Sequence, residues 1–293
     1  ASLPSLGHAA EQDTVVVTAT GFEQKIQDAP ASISVITKQQ IEDKAYRDVT
    51  DALKDVPGVV VTGGGSSSDI SIRGMASQYT LFLVNGKRIS TRGTRPNSDN
   101  SGIEQGWLPP LESIERIEVI RGPMSSLYGS DAMGGVINVI THSDKEQSKI
   151  TAGVGSKGYQ QYDGTLRHRF GDTVATVAGS YEGNKGFNVQ PDSTWDHDGD
   201  RDGFRNKAFW GSLEHKFNEN VDGFFRGHSY TNNSDYDLGS PPYSPAYSAD
   251  ESQLYNQSWD AGLNFNSGIY SSQLIASYQK VKDYNYSSIY GRY

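Results

Sequence analysis

From about Ser148 onward the chain alternates apolar and polar residues over stretches longer than most soluble strands, and this period of two constrains the fold more than any other feature. In "KAFWGSLEHKF" one face carries Phe209, Gly211, Leu213 and Phe217, and the other Trp210, Ser212 and Glu214. In "SWDAGLNFN", Trp259, Ala261, Leu263 and Phe265 oppose Asp260, Gly262, Asn264 and Asn266. "TVATVAGSY" splits the same way. The pattern predicts seven antiparallel strands, at roughly 149–155, 158–170, 173–183, 203–217, 221–236, 252–266 and 269–285. Short turns ("GDT", "NENV", "NSG") alternate with long connections. Strands of a soluble β-sandwich usually run about 5–6 residues, so these lengths favour a membrane β-barrel with a wet lumen. The 17 tyrosines and 10 phenylalanines agree with that. No run reaches the roughly 20 apolar residues of a membrane helix, which has no bearing on a barrel.

The first half reads differently. "ASLPSLGHAA" ends in small residues, Gly7-x-Ala9, as the remnant of an export signal would, and residues 1–9 are assigned to it. "ASISVIT" predicts a strand, and Thr37 with Gln40 forms a capping box for a helix starting at Lys38. A second helix is expected over about Asp48 to Val56, with Val49, Ala52, Leu53 and Val56 on one face and Pro57-Gly58 as its stop. Strands follow in "GVVVT", "DISIRG", "TLFLVNGKRI" with an Asn-Gly turn, "IERIEVIRG" and "VINVIT". Residues 21–142 therefore form a small α+β domain. The glycine-rich "RGPMSSLYGSDAMGGVINVIT" lacks the spacing of a phosphate loop and leads into a β-branched run, so its glycines serve backbone packing. A net charge of -9 argues against nucleic acid, and the absence of cysteine excludes disulfides and thiolate metal sites. No clustered His-carboxylate set or Ser-His-Asp arrangement points to an enzyme or to a catalytic cofactor.

Six segments in order, "DTVVVTA", "DAPASISVIT", "DALKDVPGVVV", "ISIRGM", "LFLVNGKRI" and "IERIEVIRGPMSSLYGSDAMGGVINVIT", resemble the TonB-dependent outer-membrane receptors. The resemblance implies an α+β plug followed by antiparallel transmembrane β-barrel strands, the N-terminal fragment of a plugged 22-stranded barrel in the bacterial outer membrane. Residues 148–293 hold about seven strands, and at about 21 residues each a 22-stranded barrel needs on the order of 460. Residues 10–20 would be the TonB box and linker, with Asp13, Thr14, Val15, Val16, Val17, Thr18 and Ala19 as the box and the TonB complex as partner. That segment is expected to be mobile and to pair by strand addition. Colicins or phage are further partners implied by the family.

The plug is most similar to colicin I and catecholate-siderophore receptors, whereas "LYNQSWDAGL" and "SQLIASYQKVKDYNYSSIYGRY" resemble the cobalamin transporter. A natural mosaic and an engineered chimera both account for this. The expected function is energised import of a ferric catecholate, with cobalamin and a passive adhesion barrel as alternatives. Lys87, Arg88, Arg92 and Arg95 place four positive charges in one loop region without an acid, and Arg92 and Arg95 are the candidate ligand contacts. Arg73 and Arg121 match family arginines that anchor plug to barrel. Asp198, Asp200, Asp202 and Gly203 begin like an EF-hand, but the twelfth position is Phe209, so an EF-hand is excluded. The cobalamin-transporter resemblance instead implies structural calcium at these aspartates, with Asp235 and Asp237 from the next loop, although Asn188 and Thr231 stand where that family has acids.

Overall fold

The computed structural model describes residues 16–17, 24–25, 32–44, 46–64, 67–89, 103–104, 108–141, 146–187, 202–236, 250–287 and 291–292. Strands β1 (Val16–Val17) and β2 (Gln24–Lys25) pair antiparallel, Val16 opposite Lys25. The "DTVVVTA" segment was expected to be mobile, whereas a two-residue ladder with Gln24 and Lys25 occupies the backbone of Val16 and Val17.

Strand β3 (Ile33–Thr37) runs into helix α1 (Lys38–Asp43) through the predicted capping box. The Thr37 hydroxyl accepts from the Gln40 amide at 3.3 Å, and the Gln40 side-chain oxygen accepts from the Thr37 amide at 2.9 Å, so two orphan donors are satisfied reciprocally. Helix α2 (Val49–Leu53) is shorter than expected at its C-terminal end. Its N-cap Asp48 accepts from the Asp51 amide at 2.9 Å, and Val49, Ala52 and Leu53 are buried. Strands β4 (Val59–Gly64) and β5 (Ser67–Ile72) form a hairpin, and β6 (Thr80–Val84) turns through Asn85 and Gly86, at φ +49° and +77°, into β7 (Lys87–Arg88). Two successive positive φ values are what a tight hairpin matching strand twist requires.

Strand β8 (Ile103–Glu104) adds to β5, and β9 (Arg116–Arg121), helix α3 (Ser125–Tyr128) and β10 (Gly135–Ile140) complete the domain. A five-stranded sheet runs β3-β9-β10-β6-β7, parallel only between β10 and β6, and a separate three-stranded sheet runs β4-β5-β8. Ile41, Leu53, Ile70, Ile72, Ile117 and Ile137 are among the buried side chains joining the helices and both sheets in one core. Each such side chain contributes roughly 1.5–3 kcal/mol by leaving water.

The glycine-rich stretch contains α3, a helical turn where only strand and loop were expected. Its glycines do serve close packing. A Cβ on Gly135 would stand 2.3 Å from the Ile120 carbonyl oxygen and 2.8 Å from Ile72 Cδ1, and one on Gly134 would stand 3.1 Å from the Tyr79 carbonyl oxygen.

The second half is one antiparallel sheet in chain order: β11 (Gln147–Val154), β12 (Gln160–Phe170), β13 (Thr173–Phe187), β14 (Asp202–Lys216), β15 (Val221–Tyr236), β16 (Asp250–Ser267), β17 (Tyr270–Ser287) and β18 (Gly291–Arg292). The seven long strands begin and end within a few residues of their predicted limits, and β18 is additional. Phe209, Leu213, Phe225 and Trp259 lie on one exposed face, while Ala178, Phe224, Tyr230 and Leu254 are buried on the other. That second face meets the small domain, whereas sequence alternation alone suggested only water there.

Gly135→Ala tests the packing role. It should destabilise the α+β domain by about 1–3 kcal/mol, since the obstructing Ile120 atom is backbone and cannot rotate away. Amide hydrogen exchange of β9 and β10 in the full-length protein should rise, and unchanged protection would show the close approach to be dispensable.

Candidate functional site

The pleat of the long sheet turns every second side chain toward the small domain, and polar residues dominate the contact. Arg167 on β12 is buried, and its Nη2 donates to the Thr141 carbonyl at 2.5 Å and the Ser113 carbonyl at 3.2 Å. Its Nε donates to Thr176 Oγ1 at 3.1 Å. Gln147 on β11 donates to the Glu112 carbonyl at 2.7 Å, and Lys38 of α1 reaches the Glu112 and Ile114 carbonyls at 2.7 and 3.0 Å. Donors from three elements thus converge on the single 3-10 turn Leu111–Ser113. Burial pushes the Lys38 ammonium below its ordinary value, and the nearby Glu42 and Glu115 carboxylates partly oppose that shift.

A second contact lies at the hairpin. Adjacent residues of β7 act in opposite directions: Lys87 bonds Asp260 of β16 at 2.5 Å, whereas Arg88 bonds Asp131 at 2.5 Å and the Tyr128 carbonyl. The hairpin is thereby tied both to the long sheet and to the glycine-rich stretch. Lys87, Ile89, Trp210, His228 and Asp260 line a cavity of about 80 Å³ between the two bodies, where the Trp210 and His228 rings stack at 4.1 Å. A third contact joins Gln161 to the Arg47 carbonyl at 3.3 Å, and the Arg47 guanidinium lies 3.9 Å from Glu182.

The predicted site residues are distributed unevenly. Arg92, Arg95, Asp198, Asp200 and Asp237 lie outside the described residues, as do all of Asp13 to Ala19 except Val16 and Val17. Arg121 bonds within the small domain, to the Ser32 and Pro57 carbonyls at 3.2 and 2.8 Å and to Ser34 Oγ at 2.9 Å. Arg73 lies beside it, the two side chains flanking Gly58. Asp202 begins β14 and Asp235 nears the end of β15, which brings them to the same end of neighbouring strands. Among the described residues no three His, Cys, Asp or Glu side chains group to hold a metal. Sequence reasoning did not single out Arg167, Asp260 or Gln147. The only signal for Arg167 and Asp260 was an inward position on an alternating strand, and Gln147 lies before the first predicted strand.

Residues 25–136 match the family model described as the TonB-dependent Receptor Plug Domain. The α+β domain is thus similar to the plug of a TonB-dependent receptor over those residues. The fold extends the match through the long sheet. A ferric enterobactin receptor variant, PfeA from Pseudomonas aeruginosa in complex with enterobactin, aligns at TM-score 0.67 with 24% identity over 88% of this chain and 42% of its own. The siderophore receptor PirA from Acinetobacter baumannii aligns at TM-score 0.67 with 25% identity over 87% of this chain and 40% of its own. PirA from Pseudomonas aeruginosa gives 0.64 and 24%, over 89% and 42%. The chain therefore spans about two fifths of the length of the solved receptors it matches, and the long sheet corresponds to part of their barrel wall.

Arg167→Ala tests how the wall holds the plug. The loss should free the Ser113 and Thr141 carbonyls and cost about 1.5–3 kcal/mol, the scale of hydrogen bonds to charged groups. In the full-length protein, exchange around residues 111–115 and 140–141 should quicken while the β4-β5 hairpin keeps its protection. Equal protection in both forms would show that Arg167 does not tether the plug.

Proposed function

We propose that the chain forms the plug and first barrel strands of an outer-membrane receptor that binds a ferric siderophore and imports it with energy from the TonB complex. The supporting observation is a family-matched plug held against the inner face of long strands whose outer face is apolar and aromatic. Such a face belongs against lipid, because closed strand pairing and outward apolar residues are what a bilayer admits. The family is one of transporters, and no catalytic role is assigned.

The ligand is read as a ferric catecholate. Similar solved structures are described as ferric enterobactin and siderophore receptors, and Arg92 and Arg95 follow a hairpin whose own cations already have carboxylate partners. Their guanidinium groups suit an anionic aromatic chelate through charge and cation-π attraction, at about 0.5–2 kcal/mol per contact. The cobalamin reading is retained because "LYNQSWDAGL" and the last strand resemble that transporter. Calcium held by Asp198, Asp200 and Asp202, with Asp235 and Asp237, belongs to the same reading. Oxygen donors at one end of β14 and β15 suit a hard cation. Arg73 and Arg121 are proposed to steady the plug against the remaining barrel.

Energy coupling is assigned to Asp13–Ala19, whose valines would exchange their pairing with Gln24 and Lys25 for strand addition to TonB. Proline at Val16 removes a backbone donor and fixes φ. The full-length Val16→Pro receptor should bind ferric enterobactin with parental affinity yet import essentially none into energised cells. Import at the parental rate, at equal surface expression, would rule out this segment as the coupling strand. Parallel uptake of labelled cyanocobalamin by the parent decides between the two ligands.

A further inference from the structure

We infer that Arg226 of β15 is a second partner for Asp260, taking the carboxylate when Lys87 leaves it, so that the β7 hairpin can undock from the wall without stranding a charge. The exchange deepens the proposed receptor function and rests on it only for its purpose, since a plug seated against the wall has to give way before a ligand passes. Among the described residues Lys87–Asp260 is the ion pair that joins this hairpin to the wall. Arg88 bonds Asp131 and the Tyr128 carbonyl, both inside the plug, and would travel with the hairpin.

Strand register sets Arg226 directly opposite Asp260. Directly opposed side chains of an antiparallel pair have Cβ atoms about 4.5–5.5 Å apart, well within the length of an arginine. Both line the cavity that Lys87 enters from the plug, so the three side chains share one face. In the docked state Arg226 leans the other way. Its Nη2 donates to Glu214 at 3.1 Å, and its guanidinium carbon lies 4.0 Å from the centre of the Phe224 ring. Its Nε is buried and has no hydrogen-bond partner among the described residues. Arg226 is therefore held by one carboxylate and a ring face, with a donor unused opposite a second carboxylate.

The Asp260 side chain is only 14% exposed, and Lys87 is its ion-pair partner among the described residues. Withdrawing one member of a largely buried pair leaves a desolvated charge, which is the main cost of separating it. A replacement cation already inside the wall removes that cost. By rotation about its side-chain bonds Arg226 can present an edge of Nε–H and Nη–H to Asp260, the two-bond geometry that suits a carboxylate. The wall then stays neutral at that position while the hairpin is away. Glu214 loses its partner in turn, but its side chain is more exposed, at 26%, so water compensates it at lower cost.

A fixed brace between β14 and β15 is the competing reading of Arg226, and the two differ in sign. Loss of a brace loosens its surroundings whichever member is removed. Under exchange, Arg226 and Glu214 act in opposite directions, because Arg226 stabilises the undocked hairpin and Glu214 holds Arg226 away from Asp260.

The chain has no cysteine, and Ser258 lines the cavity beneath the hairpin, so Ser258→Cys supplies a reporter thiol. Its labelling rate by a methanethiosulfonate reagent is measured on the full-length protein, free of other thiols and without ligand, with heat-modifiable gel migration establishing that each variant is folded. Relative to the reporter alone, Arg226→Gln should slow labelling about threefold, while Lys87→Gln and Glu214→Gln should each quicken it about threefold, the scale of a partly exposed ion pair. In an Asp260→Asn background, Arg226→Gln should change nothing further. Faster or unchanged labelling in Arg226→Gln, slower or unchanged labelling in Glu214→Gln, or an Arg226→Gln effect that persists with Asp260→Asn would overturn the exchange. The Glu214→Gln arm decides alone if Arg226→Gln does not fold. Labelling needs neither ligand nor energy, so absence of ferric enterobactin uptake by the parent would overturn the receptor reading and leave the exchange standing. Slowed labelling with parental uptake in Arg226→Gln would overturn the role of the exchange in import alone.

Discussion

The structure depends on a buried guanidinium that holds backbone rather than a carboxylate. Arg167 enters from the wall and donates to the Ser113 and Thr141 carbonyls, which lie on opposite sides of β9 and β10 in sequence. A charge removed from water costs several kcal/mol unless its donors are met, and the planar fork of arginine meets two carbonyls and a hydroxyl at once. Carbonyls also differ from carboxylates in one useful respect: they bring no second charge to desolvate. Gln147 and Lys38 follow the same rule on the neighbouring turn, so the plug's closing strands and the first wall strands are fastened at one place.

The hairpin provides the opposite kind of contact. Lys87 meets Asp260 as an ion pair, and Arg88 meets Asp131, so consecutive residues of a two-residue strand connect the wall on one side and the glycine-rich stretch on the other. Both pairs keep some exposure, and such pairs are worth about 0–1 kcal/mol each when solvent reaches them. A tether of modest strength at the hairpin and a buried one at the turn divides the plug into a loosely held and a firmly held part. In the proposed receptor the loose part is the one that leads directly into Arg92 and Arg95. Ligand contact there would act on the pairs that cost least to rearrange.

Much of this architecture was legible from local pattern. Alternation along residues 203–217 and 252–266 fixed which side chains face out, the Asn85-Gly86 turn set the hairpin register, and Thr37 with Gln40 marked a helix start that the hydrogen bonds reproduce. These signals are short in range. Each depends on a period of two, a positive φ or a spacing of three, and none requires a distant partner.

The sequence by itself determined the two-part organisation, the faces of the wall and the resemblance to a plug, because those follow from residue type and spacing within a few residues. Tertiary structure alone decided that the plug strands divide into two sheets, that α3 interrupts the glycine-rich stretch, and that Val16 and Val17 pair with Lys25 and Gln24. It also chose Arg167 and Asp260 from many inward polar residues as the ones that grip the plug. An inward position on a strand specifies a direction but not a neighbour. The neighbour exists only once segments 54 and 173 residues apart, as for Arg167 with Ser113 and Asp260 with Lys87, have been brought together by the closed packing of sheet on plug.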